Sequence, residues 1–115
     1  MNKYRDKSDF EINKAAAIEM FGLNRVIEKG DSIYIDECDC GAMFSFDPCN
    51  NPADAMPIII ENKISLRAPT ITDRWKAEFV DEYGNYVGYI RALNKNPLRA
   101  VMEVFLMMKD AENEK

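Results

Sequence analysis

The most constraining stretch of this chain is Asn96-Pro97-Leu98-Arg99-Ala100-Val101-Met102-Glu103-Val104-Phe105-Leu106-Met107-Met108-Lys109. Asn96 is suited to cap the free backbone N–H groups of a helix start, and Pro97 fits the first helical position, where no N–H is needed. At about 100° per residue, Leu98, Val101, Met102, Phe105 and Met108 form one apolar stripe. Leu106 and Val104 widen it on either side, and Met107 falls almost opposite its centre. A helix apolar around most of its girth must be covered on more than one side. The rest of the chain is expected to supply that cover.

The upstream elements follow from local signals. Ser8-Asp9-Phe10-Glu11 is a capping box and starts a helix expected to run from about Asp9 to Phe21, with Gly22 as its C-terminal cap. Phe10, Ala17, Ile18 and Phe21 share a face, while Glu11, Asn13, Lys14 and Glu19 read as outward. Residues 1–7 read as a flexible tail. The signal weakens over residues 24–45, where 31–36 and 43–46 read as two short strands of an irregular hairpin, with Cys38-Asp39-Cys40-Gly41 as a turn. Asn51-Pro52 repeats the cap-and-proline device of Asn96-Pro97. A helix follows to Glu61, with Met56, Ile59 and Ile60 inward and Pro57 expected to kink or restart it.

Three strands come next. Ile64–Arg67 is short, Arg74–Val80 alternates strictly with Trp75, Ala77 and Phe79 on one face, and Tyr86–Leu93 returns after a turn at 82–85. The economical solution is a single α+β domain over residues 8–110: helix, weak hairpin, helix, three strands, helix. It has an antiparallel sheet of at least three strands with helices packed on it, and residues 111–115 read as a charged C-terminal tail.

Composition then limits the chemistry. A chain of 115 residues with 47% apolar and 30% charged residues is large enough for one core without staples. No run approaches the roughly 20 apolar residues of a membrane span, and no apolar core follows the N-terminal charges as in a signal peptide. A net charge of −5 and a pI near 4.8 count against general nucleic-acid binding, though not against a local basic pocket. With no histidine, Ser-His and Cys-His nucleophile pairs and His-containing zinc sites are impossible. The expectation is therefore a protein that is not an enzyme and needs no cofactor.

Four groups of side chains are candidates for chemistry. Cys38, Cys40 and Cys49 have metal-like spacing, but a single C-x-C is weak, and reduced thiols without a metal are the expectation. Asp47, Asn50, Asn51 and Asp54 gather at a helix start, where an anion can bind, although capping by Asn51 is the stronger reading. Arg67, Arg74, Lys76, Arg91 and Arg99 lie on or beside the sheet with Trp75, Tyr86 and Tyr89, a mixture suited to phosphates and bases. Trp75 shares its face with Ala77 and Phe79 and reads first as core. Met102, Met107 and Met108 are suited to a partner helix.

Three segments carry a resemblance. Ser8–Lys14, Phe46–Asn62 and Asn96–Met108 together resemble the NinX-like proteins of lambdoid phages, a family whose domain has no established function. Met56 stands where relatives often carry Trp, and residues 24–45 do not follow the family pattern. The resemblance implies a small phage accessory protein acting in the cytoplasm of an infected bacterium, where many such proteins counter host immunity.

In that setting the leading expectation is a protein that binds and sequesters a nucleotide-type immune signal through Arg67, Trp75, Tyr89, Arg91, Arg99, Asn50 and Asn51. The alternative is a protein-interaction module that inhibits or adapts a host or phage protein. The helix-strand-strand-strand-helix order of residues 51–109 also matches the double-stranded-RNA-binding domain, but nucleic acid is disfavoured by the acidic balance. A homo-oligomer, most simply a dimer, is expected from Met107 and Val104, which one small sheet and an alanine-rich first helix would leave uncovered.

Overall fold

The structure is a computed structural model and describes residues 2–37, 41–80 and 86–113, with only the backbone described at 80 and 86–89. Three helices and two antiparallel three-stranded sheets make an α+β fold. Helix α1 spans Asp9–Phe21, and strands β1 (Val26–Lys29), β2 (Ser32–Asp36) and β3 (Met43–Ser45) form the first sheet. Helix α2 spans Pro52–Asn62, strands β4 (Ile64–Arg67), β5 (Trp75–Val80) and β6 (Tyr86–Asn94) form the second sheet, and α3 spans Pro97–Asn113.

Local chemistry sets the helix starts as the sequence predicts. Glu11 N–H donates to the Ser8 hydroxyl at 3.1 Å, and Ser8 N–H donates to the Glu11 carboxylate at 3.5 Å, which closes the capping box. Asn51 Oδ1 accepts from Ala53 N at 3.0 Å, and Asn96 Oδ1 accepts from Leu98 N at 3.0 Å. Each asparagine satisfies one orphan donor beside a proline that has none to satisfy.

Helix α3 is the centre of the molecule. All nine residues from Arg99 to Met107 are buried, with Phe105 only 1% exposed. Helices α1 and α2 and strands β4, β5 and β6 all pack on it. The sheet presents Ile64, Ala77, Ile90 and Ala92 to this core. The first sheet packs on α1, where Phe21 meets Phe44 and Phe46 edge-on at centroid distances of 5.8 and 5.3 Å.

Several expectations are corrected. The irregular hairpin is instead a three-stranded sheet, because Val26–Lys29 adds β1 through a two-residue turn with Gly30 at φ 61°, a left-handed conformation suited to glycine. The 38–41 turn falls largely, and the 82–85 turn wholly, outside the described residues. Asn13 is buried at 7% exposure and does not point outward. In α2 the inward residues are Ala55 and Ile58, with Ile59 partly buried, while Met56 and Ile60 are 45% and 67% exposed. The helix passes through Pro57 without interruption to Asn62, and Lys63 takes the left-handed cap, at φ 55°.

The ends differ most. Residues 2–7, expected as a flexible tail, form a strap against α3: Tyr4 is buried and its phenol donates to Asp110, and Lys3 pairs with Asp110 at 3.2 Å. That anchor lies beyond the expected helix end, and α3 runs on to Asn113 where a charged tail over 111–115 was expected. Val104 and Met107, expected at a subunit interface, are 0% and 7% exposed within their own chain. The small Ala16 and Ala17 of α1, both fully buried, let that helix approach α3 closely and provide the cover thought missing.

Candidate functional site

Three polar regions stand out. The first is a hub where the starts of α1, α2 and α3 meet. Asn13 Nδ2 donates to Asp47 Oδ1 at 2.6 Å, and Asn13 Oδ1 accepts from Cys49 N at 3.1 Å. Asp47 N donates to Asp54 Oδ2 at 2.9 Å, and Asn96 Nδ2 donates to Cys49 O at 2.6 Å. Asn50 Nδ2 reaches Asp47 at 3.1 Å and Asp9 at 3.4 Å. Every one of these bonds is internal, so the polar cluster at 47–54 ties elements together. Asn50 and Asn51, proposed for a ligand, are occupied in this bonding and capping.

Arg99 extends the hub into the core. Its Nε donates to Glu103 Oε2 at 2.7 Å, Nη1 to Asp9 Oδ1 at 2.6 Å, and Nη2 to the carbonyls of Tyr4 at 2.9 Å and Lys7 at 2.5 Å. Glu103, fully buried, also accepts from Asn2 Nδ2 at 2.6 Å. Burial opposes the charge of the guanidinium, but the Asp9 hydrogen bond and the Glu103 carboxylate outweigh it and hold its pKa above the ordinary value. Arg99, expected to meet a ligand, is instead a buried structural cation. Cys49 is likewise inert, because burial pushes its thiol pKa up, with Asp9 adding to the effect. Cys38 and Cys40 lie outside the described residues.

The second region is a cleft of about 310 Å³ beside the hub, bounded by Asp9, Asp31 and Asp47 together with Phe10 and Phe46. Its carboxylates repel a phosphate, and among the described residues no group of His, Cys, Asp and Glu has the arrangement of a metal site.

The third is basic. On β5 the alternation puts Lys76 and Glu78 on the face opposite Ala77, the outer face of the second sheet. Cross-strand pairing gives one row of Arg67, Lys76 and Leu93 and another of Ser65, Glu78 and Arg91. The Glu78 side chain, 8% exposed, accepts from Arg67 at 3.3 Å and pairs with Lys76 at 3.7 Å. The next step along the face carries Arg74 and Lys95, one residue beyond the Trp75–Asn94 pair. There a groove of about 480 Å³ is lined by Arg5, Arg74, Leu93, Asn94 and Lys95. The nearby Asp73 pairs with Lys95 at 3.3 Å, but both side chains are exposed, and such a surface pair is worth at most about 1 kcal/mol. Among the described residues, Arg67, Arg74, Lys76, Arg91 and Lys95 share the outer sheet face and its end with Asp73 and Glu78, in a chain of net charge −5.

Of the residues expected at a ligand site whose side chains are described, Arg67 and Arg91 share this face. Trp75 sits half-buried on β5 in alternation with it, on the side of Ala77, and the Tyr89 side chain lies outside the described residues. Arg74 was among the cations noted in the sequence, and its alternation with Trp75 marked it as outward. Lys95 directly follows β6 and continues its alternation. Arg5 carried no signal, because it lies in what reads as a tail.

No helix among the described residues is long and apolar enough to cross a membrane. The family model described as Bacteriophage P22, NinX matches residues 3–109. No curated protein and no solved structure matches the chain.

Proposed function

The chain belongs to the bacteriophage P22 NinX family, and from that premise we propose that it is a phage accessory protein that acts without catalysis in the cytoplasm of the infected bacterium. It binds and sequesters a nucleotide-type signal of the host immune response. The observation that carries this reading is the groove of Arg5, Arg74 and Lys95 at the end of the basic sheet face. Guanidinium and ammonium groups converge on its wall and favour a phosphate, and the carboxylate beside them, Asp73, is exposed and only weakly paired with Lys95. Leu93, 48% exposed, offers an apolar surface beside them. The groove's volume falls in the range of small-molecule sites. The absence of histidine and the inert Cys49 thiol support binding over catalysis. Arg99 is consumed internally, so the start of the last helix offers only Lys95, a single cation, where double-stranded RNA would need a cluster.

Native mass spectrometry after incubation with a panel of cyclic mono-, di- and oligonucleotides and linear nucleotides tests the proposal. One member of the panel should be retained by the wild type and lost by the Arg74→Ala/Lys95→Ala variant, which should melt at the same temperature. Retention of no nucleotide, together with full phage protection by the double variant, would overturn the reading. A second reading, a protein-interaction module, is favoured by Met56 and Ile60, exposed one turn apart on α2. Loss of phage protection in Met56→Glu/Ile60→Glu with nucleotide retention intact would select it.

A further inference from the structure

We propose that Arg99 is a positioning residue, which fixes the strap of residues 4–7 so that Arg5 completes the anion groove. The inference rests on the groove being an anion site, and goes beyond it by assigning a function to the buried cation and the strap. Lys7 N donates to Tyr4 O at 3.1 Å, closing a turn with Arg5 at its corner. Arg99 Nη2 holds the carbonyls on both sides of that corner, Tyr4 at 2.9 Å and Lys7 at 2.5 Å. The Tyr4 phenol donates to Asp110 and fixes the strap from the other end of α3. Arg5 itself is exposed, forms no side-chain bond or ion pair among the described residues, and lines the groove with Arg74 and Lys95.

This arrangement is unusual for a surface arginine. An unpartnered long side chain on a loose terminus would swing away from two other cations, because like charges repel and its rotamers are free. Here the backbone beneath it is held by a desolvated guanidinium, so the root of the side chain stays beside Arg74 and Lys95, and only its rotamers are left free. An anion then has to order only the Arg5 side chain and not the strap that carries it, which lowers the entropy lost on binding. Three cations from three chain segments suit a ligand with more than one phosphate charge, and pyrophosphate is the simplest probe of that class.

The test is a set of pyrophosphate titrations by calorimetry on wild type, Arg5→Ala, Arg99→Lys, the double variant of these two, and Arg74→Ala/Lys95→Ala. Arg5→Ala should weaken binding about tenfold, the loss of one charge-assisted contact, without moving the melting temperature. Arg99→Lys should weaken binding to a similar extent, and the double variant should bind no worse than Arg5→Ala. That non-additivity separates positioning from general loosening, which would act whether or not Arg5 is present. If Arg99→Lys does not fold, Asp9→Ala, which loosens the guanidinium without stranding Glu103, takes its place in the cycle. Binding unchanged in Arg5→Ala but lost in Arg74→Ala/Lys95→Ala would overturn the positioning role and leave the groove. Multiplying effects in the double variant would also overturn it. No binding by the wild type, or equal binding by Arg74→Ala/Lys95→Ala, would remove the groove and the positioning role together.

Discussion

Replacing Arg99 with methionine keeps an unbranched apolar stem and removes the guanidinium with its charge. Glu103, 0% exposed, then keeps a single partner, the Asn2 amide at 2.6 Å, and loses the guanidinium at 2.7 Å. Asp9 and the carbonyls of Tyr4 and Lys7 also lose a donor; Asp9 and the Lys7 carbonyl are partly exposed and can turn to water, whereas the Tyr4 carbonyl is buried and adds to the loss. The buried carboxylate dominates. Breaking a buried pair by removing one partner costs about 3–5 kcal/mol, against a total stability of roughly 5–15 kcal/mol for a domain. At about 4 °C per kcal/mol, the melting temperature should fall by roughly 10–20 °C. Removing both charges, as in Arg99→Met/Glu103→Leu, should restore most of that loss, because no charge is then left stranded. Urea unfolding followed by the fluorescence of Trp75, the sole tryptophan, and by circular dichroism measures all three proteins. An Arg99→Met variant within about 1 kcal/mol of wild type would refute the reasoning, as would a double variant less stable than the single one.

Three further outcomes follow from other buried groups. Burial, followed by the hydrogen bond to Asp110, raises the pKa of the Tyr4 phenol above its usual 10.0. Its contribution is therefore complete below about pH 10 and is lost as the pH rises beyond; wild type should lose stability in alkali faster than Tyr4→Phe, and parallel curves would count against it. Asn13→Ala leaves the Cys49 N–H buried without its acceptor and should cost about 1–3 kcal/mol in chemical denaturation, whereas a cost below about 0.5 kcal/mol would show that the loop is held otherwise. Cys49 should react with a thiol reagent only on unfolding, as read by peptide mass mapping, and rapid labelling of the folded protein would contradict its burial.

Much of the fold was legible because its signals are local. The capping box at Ser8, the Asn-Pro starts of α2 and α3, and the alternation of Trp75–Val80 each lie within a few residues. Strand β1 was not legible, since Val26–Lys29 is four residues without alternation, and only its pairing with Ser32–Ile35 defines it. The phase of α2 was ambiguous because residues 55–60 are apolar on every side. Packing on α3 and β4, which no periodicity reveals, turned Ala55 and Ile58 inward. The basic face was half legible. Alternation marked Arg74 and Lys76 as outward, but the same pattern offered no way to tell that Arg99 would be drawn into the core. Arg99 and Glu103 are one helical turn apart on an otherwise apolar helix, and that pairing was the available signal. The strap was invisible, since Tyr4 meets Asp110 across 106 positions and Arg99 meets Tyr4 across 95.

Those separations bear on how the chain acquires its fold as it is synthesised. Helix α3 follows every other element in sequence, yet α1, α2 and the second sheet all bury their apolar faces against it. A nascent chain that has emerged only as far as β6 has Ile12, Ile58, Ala77 and Ile90 with nothing to close over them. Ordering such distant partners is slow, because loop-closure entropy is lost before the contacts that reward it form. Cooperative folding therefore waits until α3 has left the ribosome. Until then the emerging sheets are open to aggregation and to chaperones, and a pause in translation between β6 and α3 would lengthen that exposure.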